Sequence, residues 1–218
     1  MNKIKTFISV IPFQEPGKLN STTYKPHGNS KLEYGETRFP IIPVINGYAE
    51  NNDKIRVIAV FTENDNVKHN YETYFVPEIN AVVTKKELAL DKIEIIHTED
   101  KEDIETQLKL FGDIIGKIAD NEDIYACITY GTKPTPIIES MALSYAYRLK
   151  SVSVKCIVYG RNFHNDTSGS NGIYDTTSLF YMDSIVNKLA EMKAADPEMA
   201  IRIMLKGIMP EMGSDDDV

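Results

Sequence analysis

A doubly wound α/β fold is what this sequence predicts: a mostly parallel sheet with helices on both faces, followed by a short helical extension at the C-terminus. Three observations lead there. The run Ile55-Arg56-Val57-Ile58-Ala59-Val60-Phe61 is almost continuously apolar, as a strand covered on both faces is. Strand-like runs alternate with helical patterns, which calls for parallel pairing through right-handed crossovers and so for a Rossmann-like, three-layer sheet. The chain has 218 residues, 42% of them apolar, enough for one large domain with a substantial core.

Five strands are expected. Lys5 to Ile11 opens the set and Ile55 to Phe61 follows. Ile93 to His97 is short and β-branched, and Ile124 to Tyr130 and Val152 to Tyr159 come last. The clearest helix spans Asp100 to Asp120, where Ile104, Leu108, Phe111, Ile115 and Ile118 recur at three- and four-residue steps on one face. Asp100, Glu102 and Asp103 give it the acidic first turn that complements a helix dipole. Pro134 to Leu149 is the next helix, with Pro134 at its first position, where a missing N–H leaves nothing unpaired. A polar loop, Gly160 to Gly172, follows the last strand. Thr177 to Met192 and Pro197 to Met209 then read as helices, with Asp196 capping the second. Residues 1–193 form the expected ligand-binding domain, and residues 194–218 a helical extension with an acidic tail, Gly213 to Val218.

Composition narrows the function classes. No apolar run approaches the roughly 20 residues that span a bilayer. The stretch Phe7 to Phe13 is interrupted by Pro12 and lacks the small-residue cleavage site of a signal peptide. A cytoplasmic protein without membrane contact is the expectation. The net charge of −8 argues against binding duplex nucleic acid, which needs a basic face. It leaves room for a small anion held by a few cations and helix N-termini in one cleft. Cys127 and Cys156 fall inside predicted strands with no Cys or His at ligand spacing, so they read as reduced core thiols. No metal site and no cofactor is expected.

Sheets of this kind bind ligands outside the carboxyl ends of their strands, where strand order reverses. The strongest feature at such a place is Ile128-Thr129-Tyr130-Gly131-Thr132-Lys133-Pro134, a strand running through a tight Gly turn into a helix. Gly131 lets backbone approach a ligand, Thr132 supplies a hydroxyl, and Lys133 adds a cation beside helix amides, which together suit phosphate. The same residues also suit an ordinary capped turn, and spacing alone does not separate the two readings. Ser9 and Pro12 end the first strand, and Ser9 faces the same cleft as Thr132 if the first and fourth strands are neighbours. Nothing near Ser9 resembles a hydrolase nucleophile elbow. A long polar loop follows, in which Tyr24 and Tyr34 are candidates to stack on a base and Arg38 to pair with phosphate; a hairpin covering the domain edge is the alternative. Thr62 and Glu63 after the second strand and Arg161 after the last lie on the same edge.

Several of these segments resemble a known family. Phe7-Ile8-Ser9-Val10, the Thr23-Tyr24 stretch and Tyr34-Gly35-Glu36-Thr37-Arg38-Phe39 are similar to the N-terminal motifs of CARF (CRISPR-associated Rossmann fold) domains. Ile128 to Pro134 is similar to their second signature, and Tyr174 to Leu179 to the segment leading into a closing helix. Cys127 stands where relatives often carry an acidic residue.

The resemblance implies a homodimer whose paired clefts bind a cyclic oligoadenylate, tetra- or hexa-adenylate, the second messenger of type III CRISPR antiviral defence. It implies ligand contacts at Ser9, Pro12, Thr23, Tyr24, Arg38, Thr62, Glu63, Thr129, Gly131, Thr132, Lys133, Pro134 and Arg161. A fused effector is not expected, since one short helix and an acidic tail follow the CARF-like part, and Arg161 to His164 is too short for the Arg-x-x-x-x-His of HEPN ribonucleases. Two outcomes follow. A metal-independent ring nuclease would use Lys133, with Ser9 and Thr132, to stabilise attack of a ribose 2′-hydroxyl on the adjacent phosphate, leaving a 2′,3′-cyclic phosphate. A non-catalytic sensor would relay the signal to a separate effector protein. A dinucleotide-dependent oxidoreductase is disfavoured, because Ser9-Val10-Ile11-Pro12 stands where Gly-x-Gly-x-x-Gly would be.

Overall fold

The computed structural model describes residues 3–161 and 171–208. In chain order it comprises β1 (Lys5–Val10), β2 (Lys25–His27), α1 (Ile41–Tyr48), β3 (Lys54–Thr62), α2 (Asp65–Asn70), α3 (Val76–Lys85), β4 (Ala89–Thr98) and α4 (Ile104–Lys117). Then come β5 (Asp123–Cys127), α5 (Thr135–Leu149), β6 (Ser153–Arg161), β7 (Gly172–Asp175), α6 (Thr177–Glu191) and α7 (Pro197–Ile208). The chain divides into two compact units, Met1–Thr177 and Ser178–Val218. The whole sheet belongs to the first; α7 and all but the first residue of α6 belong to the second.

The sheet runs β2-β7-β6-β5-β1-β3-β4. β1 pairs in parallel with β3 and with β5, β3 with β4, and β5 with β6. Only β7 runs antiparallel to its neighbour β6, while β2 lies parallel to β7 at the edge. This is the predicted doubly wound, mostly parallel architecture. From β1 the chain steps outward through β3 and β4, then returns to β5 and steps the other way, so strand order reverses between Val10 and Cys127.

Strand alternation sorts the core into two layers. Phe7, Ile11, Val57, Ala59, Phe61, Tyr125 and Cys127 pack in one cluster with Ile41, Ile42 and Ile45 of α1, Val67 of α2 and Ile79 and Val82 of α3. The intervening Ile8, Val10, Ile58, Val60, Ile124 and Ala126 are equally buried, on the face covered by α4 and α5. There Leu110, Ile114, Ala142, Leu143 and Ala146 close the core.

The apolar face expected for α4 is only partly the one that is buried. Ile118, at the helix end, is buried as expected, but within α4 it is Leu110 and Ile114 that turn inward, whereas Ile104 and Leu108 remain 67% and 62% exposed. A second apolar stripe on the helix therefore faces outward. The predicted helix starts are closely met at α6 and α7, where the Asp196 carboxylate accepts the Met199 N–H at 2.9 Å.

β2 and β7 were not expected, because three residues holding Pro26 and four at the end of a polar loop carry no strand period. The long loop after β1 is closed by a two-way backbone bridge between Thr22 and Thr37, at 3.0 and 2.9 Å. α1 gives no helical period because Ile41 to Ile45 are buried all round. Residues 162–170 of the predicted polar loop and residues 209–218, including the acidic tail, lie outside the described residues. Both cysteines are free and buried. Among the described residues no helix is long and apolar enough to cross a membrane.

Candidate functional site

The crevice at the strand reversal is built from two chain segments. β5 ends at Cys127, three residues earlier than predicted, although the Ile128 N–H still reaches the Val158 carbonyl at 3.0 Å. Gly131 then turns the chain with φ of +102°, a conformation L side chains avoid. A Cβ on Gly131 would stand 2.8 Å from both Cβ and Oγ1 of Thr135. Thr135, rather than the expected Thr132, supplies the hydroxyl that closes the turn: its Oγ1 accepts the Thr132 N–H at 3.2 Å.

The expected array of open helix amides is absent. Pro134 occupies the N-cap, one position earlier than predicted, and Pro136 follows; neither has an N–H. The N–H groups of Thr135 and Ile137 are taken by the Thr132 and Pro134 carbonyls, each at 3.0 Å. What remains for an anion is the exposed ammonium of Lys133, which forms no ion pair with any described residue.

Opposite this turn, the loop after β1 forms the second wall. Asn70 of α2, fully buried, donates from Nδ2 to the Pro12 carbonyl at 3.0 Å and the Gln14 carbonyl at 2.8 Å, pinning the loop on either side of Phe13. Between the walls lies an open cleft of about 760 Å³, lined by Pro12, Phe13, Gln14, Glu15, Gly17, Lys18, Asn20, Asn66, Thr129, Tyr130 and Gly131. Lys18 is tied to Glu15 at 2.7 Å, with both side chains exposed.

The predicted site residues distribute unevenly. Pro12, Thr129 and Gly131 line the cleft. Thr62, Thr132 and Pro134 line a separate small cavity of about 30 Å³ between the first turns of α4 and α5. Ser9 is fully buried: its residue pairs with Cys127 across the sheet, and its hydroxyl lies 3.4 Å from the Val10 carbonyl. Ser9 and Thr132 therefore do not share a cleft. Thr129 Oγ1 accepts the Gly160 N–H at 2.8 Å and meets Cys127 Sγ at 3.1 Å, so this hydroxyl is already engaged.

Tyr24 is 2% exposed and packed in the core, too deep to stack on a bound base. Arg38 pairs with Glu78 at 3.0 Å, donates to the Leu19 carbonyl at 3.0 Å and covers the Tyr74 ring at 4.3 Å. Tyr130 donates to the Arg38 carbonyl at 2.6 Å, so these aromatic and cationic groups fasten the long loop to the domain. Thr23 is exposed on that loop, and Glu63 is exposed and holds His97 at 2.6 Å. Arg161 ends β6, exposed.

Two buried groups behind the turn have perturbed acidity. Burial pushes the Cys127 thiol up to about 11, which keeps it protonated and unreactive at neutral pH. Burial also raises the Glu139 carboxyl of α5 well above its ordinary value; it is 1% exposed, and neither oxygen has a hydrogen-bond partner among the described residues. No group of three or more candidate metal ligands gathers among the described residues.

Residue reading missed Phe13, Gln14, Asn20 and Asn66, all of which line the cleft. The signal was available in the run of uncommitted polar side chains directly after the first strand. No protein-family model matches the chain, and no curated protein matches it.

Proposed function

We propose that the chain is a CARF-type protein that binds a cyclic oligoadenylate in the β1–β5 crevice as a homodimer. The observation that carries this reading is the 760 Å³ cleft at the strand reversal, walled by the β1 loop and by Thr129 to Gly131, with the exposed Lys133 two residues further along the chain, outside the cleft lining and in no ion pair with a described residue. A cyclic tetra-adenylate carries four phosphates, more than the Lys133 of one chain neutralises, and a second copy doubles that charge. Outward-facing apolar side chains support self-association. α4 and α5 meet through Phe111 and Tyr145, with ring centroids 6.2 Å apart, and leave Ile104, Leu108, Ile137 and Met141 about 60% exposed or more.

Binding without cleavage, as a sensor for a separate effector, is the version the geometry favours. Of the three residues expected to catalyse, the buried Ser9 and the turn-bound Thr132 are committed, which leaves Lys133 to stabilise a phosphorane. Titration of the chain with cyclic tetra- and hexa-adenylate tests the reading, with one ring bound per two chains as the expected result. No binding of either ring removes it. Metal-free, single-turnover incubation with labelled ring separates the two versions: linear products ending in a 2′,3′-cyclic phosphate establish the ring nuclease, and intact ring the sensor.

A further inference from the structure

We propose that Gln14, Asn20 and Asn66 form an adenine-reading subsite of the cleft, with Phe13 as its stacking platform; this rests on the ligand class proposed above. The three carboxamides come from two separate segments, the β1 loop and the first turn of α2, and converge on one cleft. None of their side chains hydrogen-bonds another described residue. Polar groups in the neighbouring walls are otherwise committed: Thr129 to Gly160, Tyr130 to Arg38, Lys18 to Glu15.

A carboxamide carries a donor and an acceptor side by side, which matches the amino group and ring nitrogen on an adenine edge. Guanine is read instead by the fork of arginine or by lysine, and the cation of the cleft wall, Lys18, is already paired. Gln14 adds a second indication: its Oε1 is shielded from solvent and has no donor among the described residues. Turned into the cleft, that oxygen accepts from an exocyclic amino group, whereas the carbonyl of hypoxanthine or guanine presents another acceptor and repels it. The two backbone hydrogen bonds from Asn70 hold Phe13 and Gln14 in place before a base arrives.

The test compares cyclic tetra- and hexa-adenylate with rings in which inosine replaces adenosine, and adenosine with inosine 5′-monophosphate, by calorimetric titration. The variants are Gln14→Leu and Asn66→Leu. Both residues are partly exposed, and the melting temperature of each free variant checks its fold. The expected result is binding of the adenylate ring ten- to a hundredfold tighter than its inosine counterpart, with that preference lost in the variants. Equal affinity of the wild type for both rings overturns the subsite and leaves the ring-binding reading standing. An unchanged adenine preference in both variants also overturns it. Binding of adenosine but not inosine monophosphate, with neither ring bound, sustains the subsite and removes the ring. Binding of no adenine nucleotide at all overturns both.

Discussion

Thr135 stands where a side chain on Gly131 would have to go. A Cβ there lies 2.8 Å from the Thr135 Oγ1, the same atom that accepts the Thr132 N–H, and the Gly131 φ of +102° is itself unfavourable to any L side chain. Gly131→Ala is therefore expected to destabilise the fold by about 1–3 kcal/mol and to displace the turn. Denaturant unfolding checks the first effect, and loss of ring binding in a variant that remains folded checks the second.

Glu139 is a carboxyl without a partner in the core. Its folded-state acidity is shifted upward by burial, so the folded chain holds a proton that the unfolded chain releases near 4.5. Stability from this group is complete below that pH and declines as pH rises toward the folded value. Glu139→Met removes the decline and is expected to stabilise the protein at neutral pH by about 1–3 kcal/mol. Urea titrations of both proteins between acid and neutral pH read the difference directly; a destabilised variant would show that the carboxyl has a partner in solution.

Arg56 holds two carboxylates at the opposite end of the sheet. Its guanidinium meets Glu122 at 2.5 Å and Glu94 at 2.8 Å and donates to the Lys117 carbonyl at 2.9 Å, while the Glu122 side chain is only 3% exposed. Arg56→Met leaves Glu122 buried without a counter-charge, held only by the Thr6 hydroxyl and the Ala119 N–H, at an expected cost of about 3–5 kcal/mol. Burial works to raise the Glu94 carboxyl, but hydrogen bonds and charge from Arg56 and Lys117 outweigh it and hold the group below 4.5. The stability this supplies is present above 4.5 and is lost as pH falls through the folded value. That acid loss is expected to flatten in the variant, as followed by circular dichroism.

Lys133 is exposed and takes part in no ion pair with a described residue. Lys133→Ala is expected to change stability by less than about 0.5 kcal/mol. Under the proposed function it weakens ring binding about tenfold and lowers the salt dependence of the affinity. Binding isotherms at two ionic strengths measure both.

Much of the fold was legible because the central strands are apolar on both faces. Ile55 to Phe61 lies within β3, and the helices from Thr177 and Pro197 begin where their caps place them. β2, β7 and α1 were not legible, since Pro26 carries no strand period and Ile41 to Ile45 no helical one. The outward stripe of α4 looked like its core face because periodicity records where apolar residues fall, not which stripe meets the sheet.

By itself the sequence determined the alternation of strands and helices, the Gly131 turn and its place at a strand end, because these depend on local period and backbone sterics. Only the tertiary structure decided that β1 and β5 are neighbours, that Ser9 and Tyr24 are sealed in the core, and that Arg38 belongs to Glu78. Those are pairings between residues far apart in the chain, set by the packing of whole layers. The same packing brought Gln14, Asn20 and Asn66 to one cleft, a convergence that no spacing in the chain encodes.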